Sequence, residues 1–135
     1  MQTFTIPGRL EGLNNLILAD RTNRFMGAKM KRSNTDLCAW AIRAAKLQKV
    51  ERYPVTIWIR WTEPNGRRDP DNVASAKKYV LDGLQTAGII ENDGAKQIRG
   101  FVDSFEIDSR NPHVTVEIYE AGEPLAVPQA PQKLE

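Results

Sequence analysis

Cysteine and histidine are nearly absent from this chain, which has one of each, Cys38 and His113, in 135 residues. A lone thiol cannot close an internal disulfide, and no Cys or His pair stands at a zinc-binding spacing, so a stapled scaffold and a zinc fold are both excluded. No apolar run approaches the roughly 20 residues of a membrane span, and MQTFTIPGRL lacks the long apolar stretch of a secretion signal. The expectation is a cytoplasmic protein with no membrane contact. No internal repeat is present. His113 stands where a strand should begin, which favours a structural role over a general base. Cys38 lies on an apolar-periodic segment and reads as core.

What remains is enough for one domain with one core. The net charge of +2 conceals an asymmetry: residues 1–60 hold eleven Lys/Arg against four Asp/Glu, and residues 61–135 hold eight against thirteen. The densest basic run, RTNRFMGAKMKR, carries Arg21, Arg24, Lys29, Lys31 and Arg32 with no acid among them. Such a run suits a phosphate backbone, although a plain solvated face explains it as well.

Hydrophobic patterning gives the elements. Phe4 and Ile6 before Pro7-Gly8 mark a short first strand. Ser33-x-x-Asp36 reads as a capping box opening a helix through Leu37, Trp40, Ala41, Ala44, Ala45 and Leu47, ending near Val50, and the upstream LNNLILADRTNRFMGAKM reads either as a separate helix or as an extension of this one. YPVTIWIRW places Val55, Ile57, Ile59 and Trp61 on one strand face, with Thr56, Trp58 and Arg60 on the other. IRGFVDSFEID and VTVEIY alternate as two further strands, joined across SRNP as a hairpin. Trp40, Trp58 and Trp61 sit on regular elements, which favours packing over base stacking. Residues 121–135, rich in Pro, Glu and Gln, are expected to form a disordered tail behind a domain of residues 1–120.

The charges concentrate in RRDPDNVASAKKYVLDGLQTAGIIENDGAKQI, residues 67–98. Asp69-Pro70 has the form of a helix start, with an N-cap acid and proline at the first helical position, and a helix from there to about Thr86 ends before Gly88. Capping explains Asp69 and Asp71 individually. It leaves Asp93 unexplained, returned toward the helix by the short apolar segment GII. Three converging carboxylates repel one another unless a cation neutralises them, and hard oxygens without His or Cys suit Mg²⁺, with Mn²⁺ as a substitute. Such ions bind a scissile phosphate and activate water for phosphodiester hydrolysis. Arg67, Arg68 and a helical lysine would then meet the phosphate. Counting 100° per residue puts Lys78 on the face of Asp71 and Asp82, whereas Lys77 borders the core.

RRDPDN, a following lysine, LDGL, AG and the final ND together resemble the RusA family of Holliday junction resolvases, phage and prophage endodeoxyribonucleases. The N-terminal IPGRLEGLNNLI is similar to phage members as well. The resemblance implies a homodimeric, Mg²⁺-dependent enzyme that makes paired nicks in opposing strands of a four-way DNA junction. Asp69, Asp71 and Asp93 match the family's metal-binding acids. Two positions depart from the pattern. Ser75 stands where the family has its lysine, with three extra residues before Leu81-Asp82, and Asn92-Asp93 replaces an Asp-Asp pair.

The expected fold is α/β (α+β): a small mixed sheet of about four strands with two to three helices. Asp69, Asp71, Asp93 and Lys78 are the expected catalytic residues, and Arg21, Arg24, Lys29, Lys31, Arg32, Arg67 and Arg68 the expected DNA contacts. The alternatives are a metal-dependent nucleotide phosphohydrolase, which leaves the basic run without purpose, and a non-catalytic DNA-binding module whose acids only cap a helix.

Overall fold

The computed structural model describes residues 1–125. Four strands and four helical segments follow in the order β1 (Gln2–Pro7), α1 (Leu13–Thr22), α2 (Arg24–Ala44), β2 (Val55–Glu63), α3 (Pro70–Ala74), α4 (Lys77–Thr86), β3 (Ile98–Ile107) and β4 (His113–Tyr119). The sheet order is β1-β4-β2-β3, with β2 and β3 parallel and the other pairs antiparallel. This is the mixed four-stranded α+β domain that the patterning implies.

β2 takes the centre because its nine residues are almost all buried. Val55, Ile57, Ile59 and Trp61 meet Cys38 and Ile42 of α2, and Val80 and Leu84 of α4, in one core that also takes Val114, Val116 and Ile118 of β4. Burying a side chain of this size stabilises by about 1.5–3 kcal/mol, so this helix-on-sheet layer is the main source of stability. Gly88, with φ of 75°, closes α4 in the left-handed conformation that a glycine accepts without steric penalty. Cys38 is fully buried, and burial pushes its thiol pKa up to about 12, so it is an inert core residue.

Four expectations are corrected. β3 and β4 are not a hairpin: β3 runs parallel beside β2, and β4 crosses to β2's other edge, because the most apolar strand must be flanked on both sides. The capping box at Ser33 does not start a helix. α2 begins ten residues earlier, where Asn23 accepts from the Met26 N–H at 2.9 Å, and it ends at Ala44, with Lys46 at φ of 55°. Trp40 faces solvent at 58% exposure, since Cys38, Ala39, Ala41 and Ile42 form the buried face instead. The single helix expected from Pro70 to Thr86 breaks at Ser75–Ala76, where Ala76 and Tyr79 donate to carbonyls only three residues back.

Residues 121 and 123, within the expected tail, make contacts with the domain. Ala121 donates to the Arg52 carbonyl, and Glu123 accepts from the Glu120 N–H and pairs with the N-terminal amine. The rest of the expected tail, 126–135, lies outside the described residues. Among the described residues no helix is long and apolar enough to cross a membrane.

Candidate functional site

Ser75, at the break between α3 and α4, is engaged by a distant helix. α1 starts at Leu13 behind Gly12, a cap residue with no side chain to satisfy the first N–H groups. α3 supplies what is missing: the Leu13 N–H donates to Ser75 Oγ at 2.8 Å, and the Asn14 N–H donates to Asn72 Oδ1 at 3.1 Å. Gly12 is required for the approach, because a Cβ there would lie 2.5 Å from Asn72 Oδ1. Ser75, at the position where the resemblance leads one to expect a lysine, therefore serves as a cap for another helix. The uncapped start GLNN was the available signal.

This docking sets the acids. Asp69 occupies the N-cap position of α3, and its carboxylate makes no capping hydrogen bond. Asp71 follows in the first turn, and both residues are exposed. Neither carboxylate has a hydrogen-bond or ion-pair partner among the described residues, although capping is what the ordinary explanation of an acid here requires.

Asp93 stands elsewhere. Its carboxylate accepts from Lys78 Nζ at 3.1 Å, and the same ammonium lies 3.2 Å from Asp82. Hydrogen bonds from Lys78 to Asp93 and then Asp82 outweigh its slight desolvation and raise the lysine's pKa, so the ammonium stays charged. Lys78 thus faces acids, as the helical count predicts, but these are Asp82 and Asp93. Among the described residues no three His, Cys, Asp or Glu side chains stand close enough to hold one metal ion. The donor chemistry of Asp69, Asp71 and Asp93 suits a hard cation, yet within one chain they do not form the expected three-carboxylate centre.

Lys77 does more than border the core. Its ammonium donates to Asp103 Oδ2 at 2.7 Å and lies 4.4 Å from the centre of the Phe101 ring, while Trp61 Nε1–H donates to Asp103 Oδ1 at 2.8 Å. Pairing Ile59 with Asp103 across β2 and β3 turns this aspartate to the core side of the sheet, where it needs both donors. No sequence pattern disclosed the cluster, because Lys77 and Asp103 are 26 residues apart.

The arginines divide. Arg68 donates from Nε and Nη2 to Glu63 at 2.7 and 2.9 Å, and from Nη1 to the Leu10 carbonyl at 2.9 Å. Arg9 donates to Glu63 at 3.0 Å. Burial alone would raise the Glu63 pKa, but the hydrogen bonds and charges of Arg68 and Arg9 prevail and hold it below the usual carboxylate value. Arg67 is exposed, and its guanidinium has no partner among the described residues. Sequence reading grouped Arg67 with Arg68 and overlooked Arg9 and Glu63.

Arg21, Arg24, Lys29, Lys31 and Arg32 are all exposed, distributed over the end of α1 and the first half of α2. Since α1 begins against α3, Arg21 lies about 12 Å along the helix axis from that contact, at 1.5 Å per residue. No model of a known protein family matches the chain, and no curated protein matches it either.

Proposed function

We propose that this protein is a metal-dependent, structure-selective endodeoxyribonuclease that resolves four-way DNA junctions by paired nicks in opposing strands. One observation carries the reading: Asp69 sits at a helix N-cap without capping, and Asp71 beside it is equally unengaged. Two exposed carboxylates and an exposed Arg67, none with a side-chain hydrogen-bond or ion-pair partner among the described residues, are what a metal-dependent phosphate-cleaving centre needs. The exposed cations from Arg21 to Arg32, one helix away, supply the sequence-independent grip on DNA arms. Mg²⁺, with Mn²⁺ as substitute, is the cofactor of this reading, and Asp69 and Asp71 are the residues that would hold it. A homodimer belongs to the same reading, since a junction offers two symmetric strands to cut. β3 is an open sheet edge bearing the exposed side chains Phe101, Phe105 and Ile107, a surface of the kind a second copy can cover. A host-cell cytoplasmic setting follows from that activity.

The test is incubation with Mg²⁺ and, separately, a four-way junction, a linear duplex and free nucleotides. Symmetric nicks in the junction alone support the reading. Hydrolysis of the nucleotides alone replaces it with a phosphohydrolase, and binding without cleavage under Mg²⁺ or Mn²⁺ leaves a DNA-binding module.

A further inference from the structure

Between the loop after β1 and the turn after β2 lies a cleft of about 430 Å³, lined by Arg9, Leu10, Glu11, Asn15, Asn65, Arg67 and Arg68. Its size falls within the range of small-ligand sites. Three arginines line this cleft, and gathering like charges is unfavourable unless something compensates them. Glu63, only 8% exposed, does so from behind, accepting from both Arg9 and Arg68. Arg68 is further fixed on the Leu10 carbonyl, which ties the two loops together.

The pedestal leaves donors unspent. Among the described residues Arg67 keeps its whole guanidinium fork, and Arg9 is committed through Nη2 alone. Asn65 uses its side-chain oxygen to accept from the Arg67 N–H at 3.0 Å, which leaves its amide N–H groups free. Three arginines against Glu63 and Glu11 give the cleft a net charge of +1. A guanidinium fork matches phosphate oxygens in bidentate fashion.

Glu11 narrows the ligand further. It lines the same cleft and accepts from Asn15 Nδ2 at 2.7 Å, and a bare inorganic anion would meet it as a repulsive neighbour. A ligand with phosphate at one end and hydroxyl or amino donors at the other satisfies both the arginines and Glu11. We propose that this cleft binds a nucleotide unit, its phosphate on Arg67 and Arg9 and its sugar or base donors toward Glu11, directly ahead of Asp69 in the chain. The inference deepens the nuclease reading by placing a nucleotide of the DNA strand on Arg67, two residues before Asp69 in the chain. The same chemistry also fits a free nucleotide.

The experiment uses the full chain in EDTA, so that binding is read without cleavage. Titration calorimetry with a deoxynucleoside 5′-monophosphate and with the matching nucleoside, and fluorescence anisotropy with a labelled four-way junction, are run on wild type, Arg67→Gln and Asn65→Ala. Among the described residues the Arg67 guanidinium makes no hydrogen bond or ion pair, so an unchanged Tm confirms that its variant is folded. The expected result is about tenfold weaker binding of phosphate-bearing probes to Arg67→Gln, a smaller loss in Asn65→Ala, and no binding of the nucleoside to any form. Loss confined to the junction identifies the DNA strand as the source, and loss confined to the mononucleotide identifies a free nucleotide. Equal binding of every probe to wild type and Arg67→Gln, or no binding at all, overturns the cleft. Junction cleavage that survives in Mg²⁺ while Arg67 has no effect on binding would leave the nuclease reading standing without the cleft. Arg67-dependent binding in a protein that never cuts would do the reverse.

Discussion

Replacing Glu63 by glutamine keeps the side chain's volume but removes the charge that compensates Arg68. Two of the Arg68 hydrogen bonds end on this carboxylate, and the two side chains are only 16% and 11% exposed. Stranding a buried guanidinium costs about 3–5 kcal/mol, and the residual solvent access here argues for the lower end. Arg9, 38% exposed, adds no more than about 1 kcal/mol after screening. A loss of about 3 kcal/mol lowers the Tm by roughly 9–15 °C for a domain of this size. The pH dependence gives a second, independent check. The Glu63 pKa is lowered in the folded chain, so its ionised form stabilises the fold above the unfolded value of 4.5, and that contribution is lost as pH falls through the lower folded value. Thermal unfolding followed by circular dichroism near neutral pH and again well below the unfolded carboxylate value should therefore show the full gap between wild type and Glu63→Gln at the higher pH and a smaller one at the lower. Refutation takes one of two forms: a variant melting within about 2 °C of wild type near neutral pH, or a gap indifferent to pH.

Asp71→Asn keeps side-chain shape but removes a charge that repels phosphate, so junction cleavage in Mg²⁺ should collapse while junction binding persists or tightens; cutting at near the parent rate would remove Asp71 from the site. Lys78, 65% exposed, pairs with Asp82 and Asp93 rather than with Asp71, so its replacement by alanine should change Tm little. Lys77→Ala, by contrast, strands Asp103 beside Trp61 and should cost about 1–2 kcal/mol in thermal denaturation while sparing cleavage. Identical melting of the two lysine variants would contradict their separate placement. Ser75→Ala removes the cap on α1 and should destabilise by about 1 kcal/mol in urea unfolding, with serine-to-threonine replacement less damaging; a neutral Ser75→Ala would mean that α1 does not depend on α3.

The strands were legible because alternation is a local signal: Val55, Ile57, Ile59 and Trp61 announce a buried face whatever pairs beside them, and Gly88 announces the end of α4 through its own conformational freedom. Asp69 and Asp71 were equally legible, as a helix start whose charge exceeds what capping needs. Order in the sheet was not, because pairing depends on which strand has to be buried on both sides, a competition among all four. The extent of the helices was also hidden. Ser33 fits a cap motif but lies inside α2, where the side chain of Asn23 takes the capping bond. Ser75 reads as an ordinary helical residue until α1 arrives without a cap of its own. Charge partners were the least visible of all. Sequence spacing grouped Arg67 with Arg68 and Lys78 with Asp71, whereas the folded chain gives Arg68 to Glu63, Lys77 to Asp103 and Lys78 to Asp93. Local sequence fixes what each residue can offer, and only the packing of distant segments decides which offers are met, because a buried charge takes the partner that the core brings within hydrogen-bond distance.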